Sequence, residues 1–329
     1  MTTRRPTRRQ FVAGLLGAAA TPILRAEEGV VLRAADVHPA GYPTVAAVEW
    51  LNEELKRAFG GELRLHIYHS GQLGSEKDTL ELARIGALAV TRVHSSVLNN
   101  AVPATRILSL PYVFDSTEHF RRAVDGAFGE SILAACDRRG LIGLAIYDSG
   151  ARCIYNTRHP VATPEDLRGL KLRVPQSDIF IESVQVLGAS PTPLAYGAVF
   201  SSLQTHLIDG AENNVPSFYS SRHFEIARYW SATEHAYAPD MLLMSKRAAE
   251  ALTATQLEFL RGAARRSVAP MRVQWDATVA AAVRAVAASG VTVNDVDKVA
   301  FRRAAEPVLA RYLADPELAR LHAALREGA

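Results

Sequence analysis

Gly169-Leu170-Lys171-Leu172-Arg173-Val174-Pro175 reads as a short buried strand, with Leu170, Leu172 and Val174 alternating with Lys171 and Arg173 and Pro175 closing it. A helix-start signature lies directly before it. Thr163 stands at the cap position, Pro164 at the first helical position, Asp166 near the third, and Gly169 as the stop. Arg173 is therefore held on rigid structure at a strand end. Two readings follow from this segment: a guanidinium fork for a ligand carboxylate, or an ordinary ion pair with a neighbouring Asp or Glu.

Working outward from this strand, the same alternation runs along the chain. Towards the N-terminus, Val30 to Ala35 forms an apolar first strand, and a helix follows with Val48, Leu51, Leu55 and Phe59 at three- and four-residue steps. Leu63, Leu65 and Ile67 then alternate with polar residues. Ser75 caps a helix running to Gly86, and Ala87 to Val93 makes another strand. Helical stretches over about 116–126 and 129–139 lead to the strand Leu141–Tyr147. After Gly150 the pattern restarts with Ala151–Asn156, the Arg173 strand, a helix from Ser177 to Gly188, and a short strand at Leu207-Ile208-Asp209.

Towards the C-terminus, Met241–Ser245 reads as a strand and Thr253 with Gln256 as a capping box. Leu257, Leu260, Ala264, Val268, Met271, Trp275, Val279, Ala282 and Val286 continue at helical spacing to Gly290, with Pro270 inside the pattern as a kink. A helix of that length spans on the order of 50 Å, enough to brace two lobes. The fold class expected is α/β, two mixed sheets flanked by helices, with a long kinked helix across both lobes.

The chain has 329 residues, 48% hydrophobic and 22% charged, a balance that suits two globular domains and argues against disorder. Its first residues are not read as part of the fold. Arg8-Arg9 before the moderately apolar run Val12–Leu24 reads as a twin-arginine export signal, with cleavage expected after Ala26. Residues 1–26 hold five arginines and no acid, so their loss takes the net charge from +3 to −2. The remaining chain then carries no basic excess to suggest a nucleic-acid surface, and no membrane insertion of the mature chain is expected. Cys136 and Cys153 stand either as a disulfide or as two buried thiols in an oxidising compartment.

No nucleophile elbow, phosphate loop, His-Glu-x-x-His or zinc spacing occurs. No enzyme and no cofactor is implied. Polar groups instead collect where strands end and helices begin, the edge at which α/β sheets bind ligands. Arg152 follows the Gly150 bend, Arg173 ends its strand, Asn213 and Asn214 follow the Asp209 strand, and Glu76 and Arg92 sit at a helix start and a strand end. Each alone also fits a surface ion pair or a turn.

The ordered stretches Gly71-Gln72-Leu73-Gly74, Leu110-Pro111-Tyr112-Val113-Phe114, Gly150-Ala151-Arg152, Thr163 to Val174, Leu187-Gly188-Ala189-Ser190-Pro191 and Asp209-Gly210-Ala211-Glu212-Asn213 resemble the periplasmic solute-binding proteins of TRAP transporters (DctP type). The resemblance implies a two-lobed clamp closing over a small organic acid in the periplasm and handing it to membrane subunits. It further implies that Arg173 forks the carboxylate, that Arg152 assists, and that Asn213 contacts the ligand. Lobe I would comprise 27–149 plus about 235–270, and lobe II 150–234 plus about 271–329. His38 to Thr44, Gly74 to Asp78, Glu212 to Tyr219 and Ser231 to His235 look like the branch binding sugar acids such as glucuronate and galacturonate, with His38, Glu76, Arg92 and Asn213 as hydroxyl partners. Ala151 and Phe218 depart from that pattern; the alternatives are an aldonate, a keto-gulonate or a C4-dicarboxylate as ligand, or a secreted enzyme acting on sugar acids.

Overall fold

The structure is a computed structural model that describes residues 23–26 and 29–327. Residues 1–22 of the expected export signal lie outside the described residues, whereas Ile23–Ala26, assigned by sequence to that signal, pairs antiparallel with residues 29–32. In chain order the strands and helices are β1 Ile23–Ala26, β2 Gly29–Ala35, α1 Pro43–Ala58, β3 Leu63–Tyr68, α2 Glu76–Arg84, β4 Val90–His94, α3 Ser95–Leu98, α4 Thr117–Asp125, α5 Ala127–Ala135 and β5 Leu141–Tyr147. There follow β6 Arg152–Asn156, β7 Lys171–Val174, α6 Asp178–Val186, β8 Ser190–Pro193, α7 Val199–Gln204, β9 Gly210–Asn213, α8 Val215–Ser220 and β10 Tyr229–Ala236. The chain closes with β11 Asp240–Ser245, α9 Lys246–Ala249, α10 Ala254–Arg266, α11 Val268–Ala288, β12 Thr292–Asn294, α12 Lys298–Leu313 and α13 Pro316–Glu327.

These strands make two mixed six-stranded sheets. In the first lobe the order is β1-β2-β4-β11-β5, with β3 also on β2; in the second it is β12-β10-β6-β9-β7-β8. The chain passes between the sheets from β5 to β6 through 148–151, and back from β10 to β11 through 237–239. Helices cover both faces of each sheet, so the inner strand Asp240–Ser245 and the end strand Leu141–Tyr147 of the first sheet are both apolar on two sides.

The local signals read from sequence form as hydrogen bonds. Ser75 with Asp78, Thr163 with Asp166, and Thr253 with Gln256 each make a reciprocal capping box. After Thr163 the chain makes one 3-10 turn, Pro164–Leu167, and Gly169 at φ +83° turns it into β7.

One strand lies elsewhere than expected, and the long helix shows where its bend falls. The strand expected at Leu207-Ile208-Asp209 lies instead at Gly210–Asn213: Leu207 is 56% exposed in the turn after α7, while Glu212 and Asn213 are buried in β9. Alternation of apolar residues could not find β9, because its inward side chains are polar and are satisfied only across the lobe. The long helix is bent as Pro270 predicts, with the interruption at Ser267 in the turn before the proline. Pro270 is the third residue of α11 and has no N–H to give the Arg266 carbonyl, so the hydrogen-bond ladder stops one turn earlier. Ser267, buried at the break, hydrogen-bonds Tyr147 Oη at 2.7 Å and donates to the Ala264 carbonyl at 2.6 Å.

α11 packs on α1 and β5 in the first lobe and on α8 in the second, and so braces both. Residues 271–329, grouped by sequence with the second lobe, divide. α12 packs on α6 and β10, whereas α13 returns to α5 and the 3-10 turn Pro103–Ser109, burying Leu318, Leu321 and Leu325 in the first lobe's core. Cys136 and Cys153 are free and buried.

Trp275 of α11 is the largest side chain at the hinge. It is 2% exposed, packs edge-on to Tyr42 at 6.2 Å, and lies against Gly150 so closely that a Cβ there would meet its ring at 3.1 Å. Trp275→Ala is expected to lower the unfolding free energy by about 3–5 kcal/mol, measured by urea titration. A loss well under 1 kcal/mol would show that the hinge does not depend on this packing.

Candidate functional site

The sheet edges that face each other across the lobes carry the polar residues of the chain's interior. From the first lobe, Asp36 and His38 follow β2, Glu76 opens α2, Arg92 and His94 end β4, and Asp240 opens β11. From the second, Arg152 opens β6, Arg173 lies near the end of β7, Asn213 ends β9 and Asn214 caps α8. His38, Glu76, Arg92, Arg152, Arg173, Asn213 and Asn214 all line one cavity, together with His94, Ser149, Tyr196, Ser217 and Asp240. The seven residues singled out from sequence are therefore brought together by the fold.

The lobes touch around this space. Tyr42 Oη meets Ser217 Oγ at 2.9 Å, His38 stacks on Tyr42 at 3.8 Å and meets Tyr196 edge-on at 5.3 Å, and His94 Nε2 faces Arg152 Nη1 at 3.1 Å. An arginine can only donate, so His94 Nε2 accepts and its Nδ1–H donates to Ser96 Oγ at 2.5 Å.

Three buried arginines set the electrostatics, and they differ in how each is neutralised. Arg92 is caged by carboxylates: Nη2 donates to Asp36, and Nη1 to Glu76 Oε1 at 2.5 Å and Asp240 Oδ1 at 3.1 Å. Burial works against its charge, but the three carboxylates outweigh that and hold its pKa well above the ordinary value. Arg152 has all five N–H groups engaged. Nε and Nη2 clasp the Glu212 carboxylate, Nη2 also reaches the Glu212 carbonyl at 3.0 Å, and Nη1 serves His94 and, at 3.0 Å, Asn213 Oδ1.

Arg173 is different. Its Nε and Nη2 both donate to the Leu194 carbonyl, at 2.9 and 2.5 Å, and among the described residues it has no carboxylate partner. Burial pulls its pKa below the ordinary arginine value, and Arg152 adds to that pull. Of the two readings open for Arg173, the ion pair with a neighbouring acid is not formed.

The histidines of the cavity are held neutral. Burial, reinforced by Arg92, lowers the His38 pKa to about 3, and burial with Arg152, Arg92 and Arg173 lowers that of His94 well below the ordinary value. His38 Nδ1 is buried without a hydrogen-bond partner, at the cavity wall.

Sequence reasoning missed His94, Asp240, Tyr196 and Ser217. A signal existed for the first two: His94 stands two residues after Arg92, on the same strand face, and Asp240 opens a strand at the same kind of edge as Arg152. Tyr196 and Ser217 reach the cavity from a 3-10 turn and a short helix, positions without periodicity. The two departures from the family pattern lie away from the cavity wall. Phe218 packs on Tyr155 and Trp230 in the core, and Ala151 turns to the hinge side.

The cage around Arg92 holds one cation and three acids. Burial raises Asp240 to about 7, Arg92 opposes this only in part, and Glu76 and Asp36 add to it. A carboxyl whose folded pKa exceeds its unfolded value contributes stability that is complete below the unfolded pKa and is lost as pH rises through about 7. Asp240→Asn is therefore expected to raise the melting temperature of the ligand-free protein above about pH 8 and to change it little near about pH 5. An equal effect at both pH values, read by differential scanning fluorimetry, would remove Asp240 as the strained charge.

The chain matches the family described as DctP, bacterial extracellular solute-binding protein family 7, over residues 34–315. A TRAP periplasmic solute-binding protein from Bradyrhizobium sp. BTAi1, solved with α/β-D-galacturonate, is 48% identical, with a TM-score of 0.88 over 90% of this chain and 99% of that one. One from Xanthobacter autotrophicus with β-D-galacturonate is 42% identical at the same TM-score and the same coverage. One from Chromohalobacter salexigens with D-glucuronate is 37% identical, with a TM-score of 0.87 and again 90% and 99% coverage. With the matched segment spanning both sheets and the hinge between them, the chain belongs to the DctP family of extracellular solute-binding proteins.

Proposed function

We propose that this chain, exported to the periplasm by a Tat-type signal at 1–26, captures a sugar monoacid, D-galacturonate or D-glucuronate, by lobe closure and delivers it to TRAP membrane subunits without altering it. The observation that carries this reading is Arg173, a buried guanidinium with no ion-paired carboxylate among the described residues, its pKa lowered by burial even though Glu212 works the other way, in a cavity whose other arginines are already neutralised. A ligand carboxylate supplies the missing charge. Closing the lobes lowers the local dielectric around that pair and strengthens it, so the ligand favours the closed arrangement.

The remaining wall suits hydroxyl groups. Asn213 and Asn214 offer amides, Glu76 and Asp240 accept, and His38 Nδ1 waits for one partner. Arg152, with no N–H to spare, acts by orienting Asn213 and His94 and by its positive field. The bound galacturonate and glucuronate of the three similar structures support this ligand class.

Calorimetry with D-galacturonate and D-glucuronate tests the reading, and NMR of the recovered sugar tests that it is unchanged. Arg173→Lys is expected to weaken binding roughly 10- to 100-fold, because an ammonium keeps the charge but loses the fork. Unchanged affinity would take Arg173 out of the ligand site, and saturable binding of neither uronate would overturn the ligand class.

A further inference from the structure

We propose that the carboxylate cage around Arg92 is a charge filter that admits sugar monoacids and rejects the corresponding diacids, with Asp240 and Glu76 as its specificity-determining residues. The inference rests on the reading of Arg173 as the carboxylate site, and adds what the opposite wall demands of the ligand's far end.

The two lobes bring opposite needs to the cavity. From the second lobe, Arg173 has no ion-paired carboxylate among the described residues and Arg152 is balanced by Glu212. From the first lobe, Arg92 is shared by Asp36, Glu76 and Asp240, an excess of acid over base, and Glu76 also lines a pocket with Arg173. Both Arg92 terminal nitrogens are engaged there, and its Nε, which has no hydrogen-bond partner, is buried. Arg92 thus offers no fork to a second carboxylate.

A hydroxyl arriving at this wall donates to Glu76 or Asp240 and relieves the crowded acids. A carboxylate arriving there has no proton to donate and adds a like charge in a water-poor space. The charges that face Asp240 are Arg92 from β4, Glu76 from α2, Asp36 from the loop after β2 and Arg152 from β6, with Tyr42 of α1 close by. His38 and His94 are held neutral and cannot neutralise a second ligand charge. That Asp240 is pushed up to about 7 is the same excess felt by the protein's own acid.

The test compares D-galactonate with galactarate, open-chain acids that differ only in a terminal CH2OH or carboxylate, by calorimetry at about pH 8. D-galacturonate is titrated alongside. The readout is the ratio of monoacid to diacid affinity, so a general weakening in a variant cancels. The wild-type protein is expected to prefer the monoacid by roughly 100-fold or more, and the ratio to shrink at least about tenfold in Asp240→Asn and in Glu76→Gln. It is expected to shrink in the wild type near about pH 5.5 as well, where Asp240 is protonated.

Equal wild-type affinity for the two acids, or a ratio that neither substitution moves, overturns the filter. A monoacid preference that both substitutions reduce, in a protein that does not bind galacturonate, upholds the filter and removes the uronate reading instead. Galacturonate bound tightly with a ratio insensitive to charge does the reverse.

Discussion

Charge balance in a dry cleft is the constraint on which the rest of this structure depends. Three guanidinium groups lie between the lobes at 1% to 5% exposure, and a buried charge without a partner is costly. The chain meets that demand unequally. Arg92 receives three acids and Arg152 receives Glu212, Asn213 and His94, while Arg173 receives a single carbonyl. The imbalance leaves Arg173 of the second lobe open to an anion and the acids around Arg92 of the first lobe open to hydroxyl donors. A ligand that is acid at one end and polyol along its length completes both.

The same demand explains why the polar residues sit on strand ends. Backbone groups in a sheet satisfy one another, so side chains at its edge are free to point across the gap, and the sheet holds them in place. The hinge is built to keep that placement while allowing movement. Among the described residues, 148–151, 237–239, the long helix α11 and the turn between α12 and α13 cross between the lobes. Asp148, 1% exposed at the first crossing, accepts from Arg121 Nε at 2.5 Å and Arg272 Nε at 3.0 Å. Arg121 in turn holds Asp276 on α11, and Arg272 holds Asp125 on α4. The first crossing is thus tied to the helix that spans both lobes, while Trp275 fills the space beside Gly150.

Much of this was legible in residues 29–327 as written. Strong punctuation made it so: the capping boxes at Ser75, Thr163 and Thr253, the alternation of Leu63 to Tyr68, and the apolar run of β5 report local preferences that tertiary packing did not override. β9 was misplaced because its inward residues, Glu212 and Asn213, are polar, and a polar strand looks like a loop until its partners are known. The bend expected from Pro270 falls at Ser267 because proline acts on the turn before it. The division of the C-terminal region between lobes depends on which core Leu318 and Leu321 enter, which helical spacing does not encode.

By itself the sequence determined the alternation of strands and helices, the position of Arg173 on a rigid strand, and a set of six polar residues at element ends, to which only the family resemblance added His38. It did so because these are local properties, fixed by propensity, capping and periodicity within a few residues. Only the tertiary structure decided which charges meet. Arg92 finds Asp240 across 148 positions and Arg152 finds Glu212 across 60, whereas Arg173, on its strand of the same kind, finds no acid. An ion pair is a relation between two places in space, and no single stretch of chain carries that distance.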